Sequence, residues 1–187
     1  MTRPPLVATL ATSALVSLLA ACTSSPMMPM TPKYDQSALP AGVKVPAGNG
    51  VVAELVGVGQ LTYECREKID AAGQFAWTLI GPVAALNDRS GKQVGKYAGP
   101  PAVWTHNDGS TARGTQLAIA PGGAGNIPLQ LVKVDQIKGS GAMSGITYIQ
   151  RVATVGGVAP ALPCTQADNY KEAQVKYQAD YIFYRSM

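Results

Sequence analysis

Glycine and proline interrupt this chain so often that, beyond its first 21 residues, no stretch is left for a long regular helix. The 187 residues include 20 glycines and 14 prolines. From Asn49 onward, turn signals recur about every 8–15 residues, which suits short strands. They include DAAG at Asp70–Gly73, NDRSG at Asn87–Gly91, the Asp108-Gly109 pair and PGGAGN at Pro121–Asn126. Between the turns, apolar residues alternate with polar ones, and no segment carries a helical stripe. The clearest case is VKYQADYIFYR, where Val175, Tyr177, Ala179, Tyr181 and Phe183 share one side and Lys176, Gln178 and Asp180 take the other. In GVVAELVGVGQLTYEC, Leu61, Tyr63 and Cys65 oppose Gln60, Thr62 and Glu64. In IPLQLVKVDQI the apolar phase slips by one residue between Leu131 and Val132, as a β-bulge would produce.

Eight or so such strands predict an all-β, single-domain antiparallel sandwich or barrel. At most one short helix is expected, around Thr165–Ala173, where Thr165 and Asp168 have capping-box spacing.

The N-terminus follows different rules. Arg3 is the only charge before Cys22, and Leu6–Ala21 is an unbroken run of apolar and small residues. A short positive start, an apolar core and small residues at a cleavage point make a secretory signal over residues 1–21. The run is too short for a spanning helix, which needs about 20 apolar residues. Leu19-Ala20-Ala21-Cys22 resembles the lipobox of bacterial lipoproteins. That resemblance implies diacylglyceryl transfer to the Cys22 thiol, cleavage just before it and acylation of the new terminus. Several acyl chains hold to a membrane far better than one. Thr23 stands where an aspartate would favour inner-membrane retention, so the resemblance implies an outer-membrane lipoprotein of the bacterial envelope, on the periplasmic or surface face.

Residues 22–48 are proline-rich and read as a tether. Their PMMPM stretch is too stiffened by proline to converge on a soft metal, and no cofactor or metal is expected. Residues 49–187 form the β domain. With Cys22 given to lipid, Cys65 and Cys164 are left, and export into an oxidising compartment predicts a disulfide between them. Lys and Arg total 15 against 11 Asp and Glu. These charges are scattered without a basic stripe, which argues against a nucleic-acid partner.

The blocks GVGQLTYEC, GPVAALND, GKQVGKYAGPPAVWTHNDGS, ITYIQRVATVGGVAPALPC and VKYQADYIFY, in that order, resemble the domain of unknown function 3455 family over about Leu39 to Tyr184. Gly99, Pro100, Trp104, Asp108, Gly109 and Ser110 carry the centre of the resemblance. It brings no established activity, substrate or catalytic residue, and His106 is not part of it.

His106, the single histidine, sits two residues before Asp108, and Ser110 follows at the same spacing. Triads draw their members from separate elements, and a zinc site needs further ligands, so an exposed hairpin histidine is the expected reading. GVGQLT lacks the third glycine and the helix of a dinucleotide fingerprint. Glu64 with Glu67, and Asp168 with Glu172, read as solvated carboxylates. The candidate binding surface is a rim formed by Trp104, Tyr97, His106 and Asp108 beside the Gly-Pro loop, suited to an envelope glycan, a peptide or a small molecule. A non-catalytic binding or structural module is therefore expected. Two alternatives stay open: an extracytoplasmic hydrolase using His106 and Asp108, and a small-ligand carrier with a cavity inside a barrel.

Overall fold

The computed structural model describes residues 1–2 and 34–187. The signal segment, Cys22, the PMMPM methionines and the first part of the tether lie outside the described residues.

Eight strands follow one another: β1 (Asn49–Lys68), β2 (Ala71–Asn87), β3 (Gln93–Ala98), β4 (Val103–His106), β5 (Thr111–Ala120), β6 (Leu129–Lys138), β7 (Ile146–Gly156) and β8 (Glu172–Ser186). Each pairs antiparallel with the next, and β8 pairs back onto β1, so the sheet closes as an up-and-down barrel. The seam between β1 and β8 runs from Asn49 opposite Ser186 to Glu64 opposite Glu172. Closure gives every strand two neighbours, although β3 pairs with only Val83–Asn87 of β2 and β4 with only Thr111–Arg113 of β5. Of the two all-β architectures expected, the barrel is the one formed.

Alternation decides what faces in. Leu55, Leu61 and Tyr63 of β1, Leu86 of β2, Tyr97 of β3 and Trp104 of β4 pack inside the barrel with Tyr177, Ala179, Tyr181 and Phe183 of β8. Gly57 faces the same interior: a Cβ there would lie 2.4 Å from the Tyr181 ring. At Gly59 a Cβ would lie 2.0 Å from the carbonyl oxygen of Val83. The glycines of GVGQLT thus allow a ring and a neighbouring strand to approach closely.

A second apolar cluster lies on the outside. Val43 and Val45, flanked by Tyr34 and Leu39, pack over Leu131, Val152, Ile182, Tyr184 and Ala120. Residues 34–47 thus form a strap across the outer face of β5 to β8, seating the last stretch of the proline-rich segment on the barrel. The strap explains the apparent phase slip in β6. Leu129 and Leu131 belong to the outer cluster, whereas Val132 and Val134 belong to the inner one. Register shifts do occur between β5 and β6, at Arg113/Gly114 and Gln116/Ala118. The change of phase at Leu131 and Val132, however, comes from a strand buried on both faces. The YIFY run of β8 has the same cause: Tyr181 and Phe183 point in, Ile182 and Tyr184 out.

The strap is also held by polar bonds. Gln150, fully buried, donates to the Val43 carbonyl at 2.6 Å and to Gln36 Oε1 at 3.1 Å, and accepts from the Tyr184 hydroxyl at 2.7 Å.

The expected short helix shrinks to one 3-10 turn, Gln166–Asp168. The Asp168 carboxylate accepts from the Thr165 N–H at 3.1 Å and its hydroxyl at 2.7 Å, so the capping-box spacing was real. The turn stops there because residues from Glu172 onward pair with β1. Cys65 and Cys164 are bridged, with Cα atoms 5.6 Å apart.

Candidate functional site

The two ends of the barrel carry different chemistry. One end, here the base, bears the β2–β3, β4–β5 and β6–β7 turns. The other, the mouth, bears the β1–β2, β3–β4, β5–β6 and β7–β8 connections.

His106, Asp108 and Ser110 sit at the base, in the β4–β5 turn. Ser110 donates its hydroxyl to Asp108 Oδ1 at 2.6 Å and its backbone N–H to the same oxygen at 2.8 Å. Asp108 Oδ2 accepts from the Ala142 N–H at 2.8 Å, and Ser110 Oγ accepts from the Met143 N–H at 3.1 Å. His106 Nδ1 lies 2.9 Å from Asp108 Oδ2. The carboxylate is therefore the hub, and the buried hydroxyl is committed to it. A triad requires the imidazole between hydroxyl and carboxylate, and here the order is different. These bonds tie the β4–β5 turn to the β6–β7 loop. They also hold the Asp108 carboxyl well below the ordinary carboxylate range, first through the Ser110 hydroxyl and then through the Ala142 and Ser110 backbone N–H groups.

The expected rim is corrected by burial. Trp104 is 0% exposed and Tyr97 5%. They are cross-strand partners pointing into the barrel, with ring centroids 4.8 Å apart, and the Trp104 and Tyr181 rings meet edge-on at 5.9 Å. Trp104 therefore presents no surface to a ligand, and His106 and Asp108 lie at the other end from the Gly-Pro loop. The sequence reading set the two rings together on a rim, and the register of β3 with β4 does make them neighbours. That reading could not say that they face the closed interior.

The mouth holds a cavity of about 300 Å³. Leu61, Tyr63, Tyr97, Ala102 and Ile127 supply its apolar wall, with Gly99 and Pro100 at its lip. The lip lies low because β3 and β4 have only 6 and 4 residues, against 20 in β1. Around the rest of the mouth the walls are fastened. The Tyr63 hydroxyl donates to the Gly157 carbonyl at 2.7 Å, and Trp77 Nε1 donates to the Leu162 carbonyl at 2.9 Å. The disulfide fixes Cys164 of the β7–β8 loop to β1. Tyr97 is the one residue of the expected rim that reaches this cavity.

Gln116, Gln130 and Arg151 bring polar groups to the cavity wall. Gln130 donates to Gln116 Oε1 at 2.6 Å. Arg151 donates through Nε and Nη2 to the Pro128 carbonyl, at 3.2 and 2.9 Å. The nearby tyrosines stay protonated at neutral pH. Burial pushes Tyr97 up to about 12 and also raises Tyr63, Tyr177 and Tyr181, with the Arg151 charge opposing it in each case. Sequence reading passed over Arg151. The signal was available in ITYIQRV, where alternation from Ile149 puts Arg151 on the inward face.

Of the carboxylates read as solvated, Glu64 pairs with Arg66, Glu67 accepts from the Gly73 N–H at 2.6 Å and Asp168 pairs with Lys171 at 2.9 Å. Among the described residues, no group of three or more His, Cys, Asp or Glu side chains is placed to hold a metal.

A protein family described as "Protein of unknown function (DUF3455)" matches residues 46–185, which takes in all eight strands apart from the last residue of β8. No curated protein and no solved structure matches the chain.

Proposed function

We propose that this chain, which belongs to the DUF3455 family, is a lipid-anchored binding module of the bacterial envelope whose ligand sits in the mouth cavity of the barrel. The observation that carries this reading is the cavity itself. At about 300 Å³ it lies at the lower end of small-molecule sites, and it is mostly apolar with a few convergent polar groups. Eight-stranded barrels have interiors that either fill with side chains or hold one small ligand. Here the middle is packed with rings, the base keeps a cavity of only about 70 Å³ beside His106, and the larger space is at the mouth. The fastened walls keep the site formed before a ligand arrives, which lowers the ordering cost of binding.

The test is isothermal titration of the full chain with 2-naphthamide and 2-naphthoate, compounds of suitable size. Binding of at least one is expected, with an affinity reduced by about tenfold or more in Ala102→Phe, whose added ring occupies the space. Heat from neither compound, or equal binding by that folded variant, overturns the reading.

The anchor rests on Leu19-Ala20-Ala21-Cys22. Cys22→Ala is expected to abolish incorporation of radiolabelled palmitate and to release the protein from the membrane fraction. Persistent labelling would remove the anchor from the proposal.

A further inference from the structure

We infer that the mouth cavity selects a small anion, a compact apolar body bearing one carboxylate or similar acidic group, and that Arg151 is the residue that receives the charge. The inference rests on the cavity being a binding site, and the argument for its sign is independent of that.

Arg151 faces inward by register. It lies opposite Tyr181 on β8 and Gln130 on β6, and paired residues share a face. Tyr181 is in the barrel core and Gln130 lines the cavity. Among the described residues, the ion pairs involve other cations, and no carboxylate lies within bonding distance of Arg151. Its described bonds go to one acceptor, the Pro128 carbonyl. A guanidinium has five N–H donors in a planar fork, so part of the fork is left for a ligand. Arg151 is half-buried at the open mouth, and among the described residues its charge has no protein counter-ion there.

The surroundings do not offset the charge. Arg151 is the only charged residue among those described as lining the cavity. The tyrosines nearest to it remain neutral, and among the described residues the Tyr97 hydroxyl has no hydrogen-bond partner. It can therefore donate to the same anion. Charge-assisted bonds of this kind are about twice as strong as neutral ones. Size sets the other limit: the volume of about 300 Å³ is at the lower end for small-molecule sites. One fused ring system or a short chain with its acidic group fits, and a two-chain lipid does not.

The two naphthalene compounds differ in charge and hardly at all in shape. The wild-type chain is expected to bind 2-naphthoate tighter than 2-naphthamide by about tenfold or more. Arg151→Gln should bring that ratio close to one by weakening the naphthoate, and Arg151→Lys should keep a preference for the anion. If both compounds bind equally, or Arg151→Gln leaves the ratio unchanged while Ala102→Phe still blocks both, the inference fails and the cavity remains a binding site. If Arg151→Gln does not fold, the wild-type ratio decides, and an amide bound as tightly as the acid overturns the proposal.

Discussion

Asp108 shows how one side chain can look catalytic in sequence and be structural in space. Its two oxygens collect bonds from Ser110 and Ala142 and meet His106, joining turns that are more than 30 positions apart in the chain. Gly141 makes room for this: its φ is +152°, and a Cβ there would lie 2.3 Å from the Asp108 carboxylate. Because the folded carboxyl is held below its unfolded value of about 3.9, its contribution to stability is complete above that pH. The contribution is lost as pH falls from there toward the folded value. Asp168, lowered to about 2 mainly by the Thr165 hydroxyl and the Lys171 ammonium, acts with the same sign. Asp108→Asn is therefore expected to melt several degrees below wild type at pH 7, with the gap narrowing below about pH 4. Thermal melts across that range check it, and a gap independent of pH would show that the ionised carboxylate is not what matters. Spacing in the sequence set Asp108 two residues after His106 and Ser110 two after that, across an Asp-Gly turn. The hub role of the aspartate needed the β6–β7 loop, which sequence spacing cannot bring alongside.

Among the elements, the strap shows best how local pattern and tertiary packing divide the work. Residues 34–47 contain too few apolar side chains to fold alone, and composition assigns them to a linker. They are held because β6, β7 and β8 each present outward apolar residues: Leu131, Val152 and Ile182 with Tyr184. Gln150 joins the two layers, and its side chain has no access to water. Gln150→Leu removes the donor to the Val43 carbonyl and the acceptor for the Tyr184 hydroxyl. Leaving such groups buried and unpaired costs about 1–3 kcal/mol each. The expected outcome is faster hydrogen exchange over residues 34–47, with protection of β1 and β8 retained. Unchanged exchange in the strap would mean that its apolar contacts suffice. The strands themselves were legible because period-2 alternation is local. The helix expected around Thr165–Ala173 was shortened because pairing with β1 claims the backbone from Glu172 onward.

At the scale of the whole molecule, the barrel depends on pairing between its first and last strands, across nearly the full length of the domain. The disulfide supports the same long-range closure by joining Cys65 in β1 to Cys164 just before β8, a separation of 99 residues. For a loop of that size, chain entropy gives up to ~4.7 kcal/mol. Reduction, or Cys65→Ser with Cys164→Ser, is expected to lower the melting temperature by about ten degrees, at roughly 2–4 °C per kcal/mol for a domain of about 150 residues. A shift of a degree or two would mean that seam and core close the barrel without help. The bridge also lies at the mouth, so its loss should weaken ligand binding before it unfolds the base.

The sequence by itself determined the class of the fold, the inward and outward parity of its strands and the cysteine pair. The first two depend on neighbours in the chain, and the third on the domain holding two cysteines. Only the tertiary structure decided that the sheet closes on itself, that Trp104 and Tyr97 are sealed inside it, and that Arg151 faces a cavity at one end. Alternation tells which side of a strand a residue occupies. What lies on that side is set by strands and a strap that arrive from far along the chain, through packing that local sequence does not encode.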